Sequence, residues 1–104
     1  MIIIFTKIIP ARRLAAINLF DILLAPRGAL LSSRTVNHEA IHTAQMKEML
    51  YVFFYLWYLL EWLIRLLGKE NAYRSIAFEK EAYCHDEDRN YLKNRKPYRW
   101  LKYL

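Results

Sequence analysis

His38-Glu39-Ala40-Ile41-His42 decides how this 104-residue chain is read. On a helix, side chains four apart stand one turn above the other on one face, so His38 and His42 can grip a single zinc ion. Glu39, next to the first histidine, then reaches the metal-bound water and takes its proton. The surroundings strengthen the pattern. Ser32-Ser33-Arg34-Thr35 offers several N-caps, and a helix beginning near Thr35 or Val36 carries both histidines in its first two turns. Gln45 lies one turn beyond His42.

Downstream, Met49 to Leu60 are twelve consecutive apolar or aromatic residues, and Gly68 supplies a C-terminal stop after Leu67. The sequence predicts a helix over 49–67, with Glu61 and Arg65 placed four apart for an ion pair. A domain this small cannot cover a helix that is apolar on all sides. Spanning a bilayer takes roughly 18 or more apolar residues and would bury that ion pair in hydrocarbon, which is costly. The expectation is association without spanning, either as a homodimer through helix 49–67 or on an anionic membrane surface.

Upstream, Ile2 to Ile9 is a β-branched run closed by Pro10 and reads as a strand. No basic residue precedes it and no small-x-small cleavage site follows, so it is not read as a signal peptide, and a cytoplasmic or peripheral location is expected. Ala15 to Ala25, ended by Pro26-Arg27-Gly28, reads as further strand.

The net charge of +6 is unevenly placed. Residues 1–88 hold ten basic and ten acidic side chains, so the whole excess is Arg89, Lys93, Arg95, Lys96, Arg99 and Lys102. The last four of these, interleaved with Tyr98, Trp100 and Tyr103, form a basic aromatic tail over about 95–104, and the excess as a whole points toward an anionic surface. Cys84 stands alone, which excludes a disulfide framework and a thiolate zinc knuckle, and it is expected to be buried.

A last helix is expected from Glu70 or Asn71 to about Asn94. It contains Phe78-Glu79-Lys80-Glu81-Ala82-Tyr83-Cys84-His85, with two carboxylates able to complete a metal site. Glu79 and Glu81 each sit at the margin of the apolar face, and spacing leaves them tied.

H-E-x-x-H followed by a glutamate on a later helix resembles the gluzincin class of zinc metallopeptidases. Its membrane-protease branch carries E-x-x-A-D, the first glutamate binding zinc. Glu79-Lys80-Glu81-Ala82-Tyr83 matches at the glutamate and the alanine, and the resemblance favours Glu79 over Glu81 as third ligand; Tyr83 stands where the family has aspartate. His42-Thr43-Ala44-Gln45 is similar to the H-x-x-Q extension of small gluzincin-like domains, and nearly the whole chain is similar to small proteins of Bacteroidetes-type bacteria with N-H-E-x-I-H and F-E-x-E-A-Y.

The resemblance implies one α+β domain over 1–104 with a minimal zincin-like fold: short N-terminal antiparallel strands, then about three helices. It also implies a peptide or protein substrate lying extended along an edge strand, for which Ala16–Leu24 is the candidate. Three protein ligands would leave one zinc position for water, Glu39 would activate it, and Tyr83 or His85 would serve the developing oxyanion. Two other classes stand beside the peptidase: a zinc-binding interaction module without turnover, and a basic membrane-surface protein. Nucleic acid ranks last as a partner, because no nucleic-acid fold signature is present.

Overall fold

A computed structural model of the chain describes residues 1–8 and 16–104. Strands β2 (Ile17–Leu19) and β3 (Ile22–Pro26) form an antiparallel hairpin with Leu19 opposite Ile22. The two linking residues, Phe20 and Asp21, take positive φ values of 51° and 71°, the backbone hand that suits a two-residue hairpin turn. Strand β1 (Ile2–Thr6) lies on the opposite side of β3 and runs parallel to it, with Ile2 opposite Ile22. The sheet order is therefore β1-β3-β2.

The expected α+β class holds, but the sheet is mixed rather than antiparallel. The hairpin fills one edge of β3. The other edge receives a strand joined to β3 by a connection long enough for the crossover that parallel pairing requires. The stretch read as one strand from Ala15 is two strands, since the chain reverses at Phe20-Asp21. The readings at Ile9, Pro10 and Ala15 lie outside the described residues.

Helix α1 (Ser33–Glu48) starts two residues before Thr35, because the Ser32 hydroxyl caps it by accepting from the Thr35 N–H at 3.1 Å. After Glu48 the chain turns through Leu50 and Tyr51, both with positive φ (53° and 58°), and the Tyr51 N–H bonds back to the Met46 carbonyl at 2.7 Å. Helix α2 then runs Val52–Arg65. It is shorter than 49–67 because two left-handed residues cannot continue a right-handed helix.

The expected Glu61–Arg65 pair forms at 3.3 Å, and Glu61 is buried beneath α2. Glu61 Oε2 also accepts from the Ala77 N–H at 3.0 Å. That bond explains why the last helix is not continuous. Ile76 is extended, so the Ala77 N–H goes to Glu61 instead of to a carbonyl one turn back. Three segments replace the single helix: α3 (Ala72–Ser75), α4 (Ala77–His85) and α5 (Tyr91–Asn94).

The main core joins Met46 of α1, Phe54 of α2, Ile76, Ala77 and Phe78 around the start of α4, and Trp100. Phe54 stacks on Phe78 with ring centroids 4.5 Å apart, and Trp100 meets Phe78 at 4.7 Å and Trp57 at 5.4 Å. Trp100 belongs to a 3-10 helix over Arg99–Tyr103, so the basic C-terminal segment is folded onto the domain. Cys84 is exposed, on the outer side of α4, not buried as its residue type suggested.

Candidate metal centre

The motif lies on α1 with both histidines facing α4, where Glu79 meets them. His38 and His42 stand edge to face, with ring centroids 4.8 Å apart. Glu79 Oε1 lies 3.2 Å from His38 Nε2 and 3.0 Å from His42 Nε2. One ligand atom from each of the three residues falls within 4.8 Å of the others, and all three residues are buried. A tetrahedral ion bonded at about 2.0–2.2 Å holds its ligand atoms roughly 3.3–3.5 Å apart, so small adjustments admit an ion. This buried His-His-Glu group can hold a metal ion.

The far side of each imidazole is also fixed. His38 Nδ1 donates to Asp86 Oδ2 at 3.0 Å, and Asp86 Oδ1 in turn accepts from Arg34 Nε at 2.9 Å. His42 Nδ1 donates to Gln45 Oε1 at 2.8 Å. With Nδ1 engaged on each ring, Nε2 is the atom turned toward Glu79, and it would be the one to bind a metal once its proton is displaced. Asn37, just before the motif, donates to the carbonyls of Asp86 (2.9 Å) and Asp88 (3.0 Å) and so holds that loop against α1.

The structure separates the two carboxylates that spacing left tied. Glu79 faces the histidines, and its second oxygen accepts from Tyr58 Oη at 2.7 Å. Glu81 is fully buried on another side of α4, where it accepts from Gln45 Nε2 (3.0 Å), Tyr91 Oη (2.6 Å) and the Arg95 guanidinium. Gln45 therefore links His42 to the Glu81–Arg95 pair.

Electrostatics follow from this packing. Burial raises the Glu79 carboxyl, but the charge of His42 and hydrogen bonds from His38, His42 and Tyr58 outweigh it, holding the group well below the ordinary carboxylate range. Burial pulls the His42 imidazole down; Glu79, then Glu39 and Gln45, reverse this and hold it up at about 9. Glu39 is raised, chiefly by burial, with the two histidines pulling the other way.

Glu39 stands where two pockets meet. One, of about 230 Å³, is lined by Arg34, Thr35, His38, Tyr73, Tyr83 and Asp86; the other, of about 250 Å³, is lined by Asn18, His42, Phe54, Tyr55, Tyr58 and Glu79. Ala16 and Glu39 border both. Of the segment read as the substrate edge, only Ala16–Leu19 borders these pockets, while β3 lies inside the sheet. Asn18 fastens β2 to the motif by donating to the Glu39 carbonyl and to Thr43 Oγ1, each at 2.9 Å.

The two candidate oxyanion donors part company. The Tyr83 ring packs edge-on against His38 at 4.5 Å, and its hydroxyl meets that of Tyr73 at 3.1 Å beside the first pocket. His85 is not brought to the cluster. It stacks on Tyr91 at 3.9 Å and bonds the Tyr103 hydroxyl at 2.9 Å, because a position two residues past Tyr83 points to a different side of α4. Asp86, Tyr58 and Tyr73 were not singled out from the sequence. Asp86 carries a usable signal, since it falls seven residues after Glu79 on the same helical face.

Comparison with protein-family models, with curated proteins and with solved structures finds no match to this chain.

Proposed function

We propose that this chain is a zinc-dependent metallopeptidase, with His38, His42 and Glu79 as the ligands and Glu39 as the general base. The observation that carries this reading is the buried three-residue cluster with an elevated carboxyl group beside it, at the junction of two pockets. Two nitrogens and one carboxylate oxygen, with no thiolate, suit zinc in an open, three-ligand site. Zinc, when bound, would polarise a scissile carbonyl and make a coordinated water more acidic.

The chain's own groups would do the rest. Glu39, its carboxyl raised by burial, would be a better proton acceptor than an ordinary carboxylate and would hand the proton to the leaving amine. The Tyr83 hydroxyl, backed by Tyr73, is the donor placed to meet negative charge developing on the carbonyl oxygen. Ala16–Leu19, which includes the edge strand β2, would align an extended peptide across the two pockets. The resemblance of H-E-x-x-H and E-x-x-A to the gluzincins agrees with these roles.

The test is metal analysis joined to turnover. Purified protein should carry one zinc per chain and cleave members of a peptide library. Glu39→Gln should keep the zinc and lose at least a hundredfold in rate, the low end of what general base catalysis contributes. A wild type that binds zinc yet turns over no peptide would make the cluster the core of a metal-binding interaction module instead.

A further inference from the structure

The outward side of α2 carries no charged side chain. Phe53, Leu56, Leu59, Leu60, Leu63 and Ile64 are each between 49% and 58% exposed. The helix's two charged residues, Glu61 and Arg65, pair with each other, and Glu61 is buried. A contiguous apolar face of this kind marks an interaction surface. Among the described residues, no helix is long and apolar enough to cross a membrane, and α2 itself, at 14 residues, extends about 21 Å.

The charge beside this face says what would cover it. Trp100 packs on Trp57, and Leu104 shares a pocket of about 330 Å³ with Leu60 and Ile64, so the C-terminal segment rides alongside α2. Of the four cations over 95–104, Arg95 is spent on Glu48 and Glu81. Among the described residues the other three, Lys96, Arg99 and Lys102, make no ion pair. A second copy would cover the same leucines but double the uncompensated positive charge, with no free carboxylate on α2 to meet it. An anionic lipid surface meets both needs at once, taking the apolar side chains at the boundary of its acyl region and the cations at its headgroups.

The candidate metal centre lies next to this same face. Tyr55, Tyr58, Leu59, Trp62 and Tyr73 line a trough of about 320 Å³ on the flank of α2. Tyr55 and Tyr58 also wall the pocket that holds His42 and Glu79. We propose that the exposed face of α2 and the folded-back basic segment seat this protein on an anionic lipid surface. We further propose that the aromatic trough admits peptide held at that surface to the metal centre, a second step that rests on the peptidase reading.

Flotation with vesicles tests the seat. The zinc-loaded protein should float with vesicles of equimolar phosphatidylcholine and phosphatidylglycerol and stay behind with phosphatidylcholine alone. R99Q/K102Q should weaken partitioning on the order of thirtyfold. L56E/L63E should abolish flotation while keeping the zinc content and circular dichroism of the wild type. Absence of flotation with anionic vesicles would overturn the seat. So would a dimer in solution that L56E/L63E converts to monomer without any change in lipid binding.

The substrate step needs one peptide in two forms, free and linked to an acyl chain in those vesicles. Faster cleavage of the anchored form by the wild type, with that advantage lost in L56E/L63E, is the expected result. Equal rates for both forms would overturn the surface-held substrate while leaving the peptidase reading in place. No cleavage of either form would overturn the peptidase reading and the substrate step together, and the flotation result would still decide the seat.

Discussion

Asp86 Oδ2 lies 3.0 Å from the Nδ1 of His38, and Arg34 holds the carboxylate from its other side. Asp86 sits just past the end of α4, three residues beyond Tyr83. The contact orients the His38 ring and would strengthen its Nε2 as a donor to a bound metal.

Asp86→Asn should weaken zinc binding by about ten- to a hundredfold, the usual cost of losing such a support. Competition against a chromophoric chelator measures this directly. Unchanged affinity would reduce Asp86 to a tie between α1 and the loop after α4.

Glu79→Gln and Glu81→Gln should fail in opposite ways. The first removes a proposed ligand, and zinc should be lost; above pH 9, where His42 gives up the proton that pairs it with Glu79, the stability of the metal-free protein should change little. The second leaves Arg95, almost wholly buried, without its main counter-charge, at a cost of about 3 kcal/mol. Denaturant titration of the metal-free proteins separates them. Loss of zinc with Glu81→Gln at intact stability would reverse the ligand assignment.

Metal must displace the proton that His42 carries, since only the neutral imidazole ligates. With His42 held at about 9 in the metal-free protein, apparent affinity should rise about tenfold per pH unit up to pH 9 and then level. The stability that His42 contributes has the opposite course. Its folded-state value lies above the ordinary 6.5, so its contribution is complete below pH 6.5 and is lost as pH rises through about 9. Calorimetry in buffers of different ionisation enthalpy should count about one proton released per zinc at pH 7.5. No release would show that His42 is already neutral.

Leu50 is exposed and left-handed at the α1–α2 turn, with φ of 53°. A leucine there costs about 1–2 kcal/mol against glycine, part of which glycine's greater freedom in the unfolded chain takes back. Leu50→Gly should stabilise the protein by about 0.5–1 kcal/mol, read by chemical denaturation. A loss of stability would mean that the leucine side chain contributes more than its backbone strain costs.

The parts legible in the sequence are those fixed by local periodicity. The four-residue spacing of His38 and His42, the cap before them and the Glu61–Arg65 pair depend on one helix each. The ligand choice depended on how α4 is rotated against α1, and spacing could not supply that angle. The Ala77 N–H shows why the last helix was read as continuous. Its break is dictated by Glu61, sixteen residues earlier on another helix, and no local signal marks it. Tyr58 was lost in an aromatic run whose members look alike until α2 is packed. The direction of β1 was equally hidden, because an apolar run does not state which edge of β3 it will join.

The C-terminal segment has a practical meaning for anyone who shortens this chain. Arg95 is clamped between Glu81 and Glu48, the Tyr98 N–H also bonds Glu48, and Trp100 fills the core beside Phe78. Trimming before residue 95 would strip two carboxylates of their cation and open a cavity the size of an indole. Glu81 would then be free to draw Gln45 away from His42. A protease that nicked this segment would reach the histidines without touching them, making the last ten residues a mechanical part of the candidate metal centre rather than a dispensable extension.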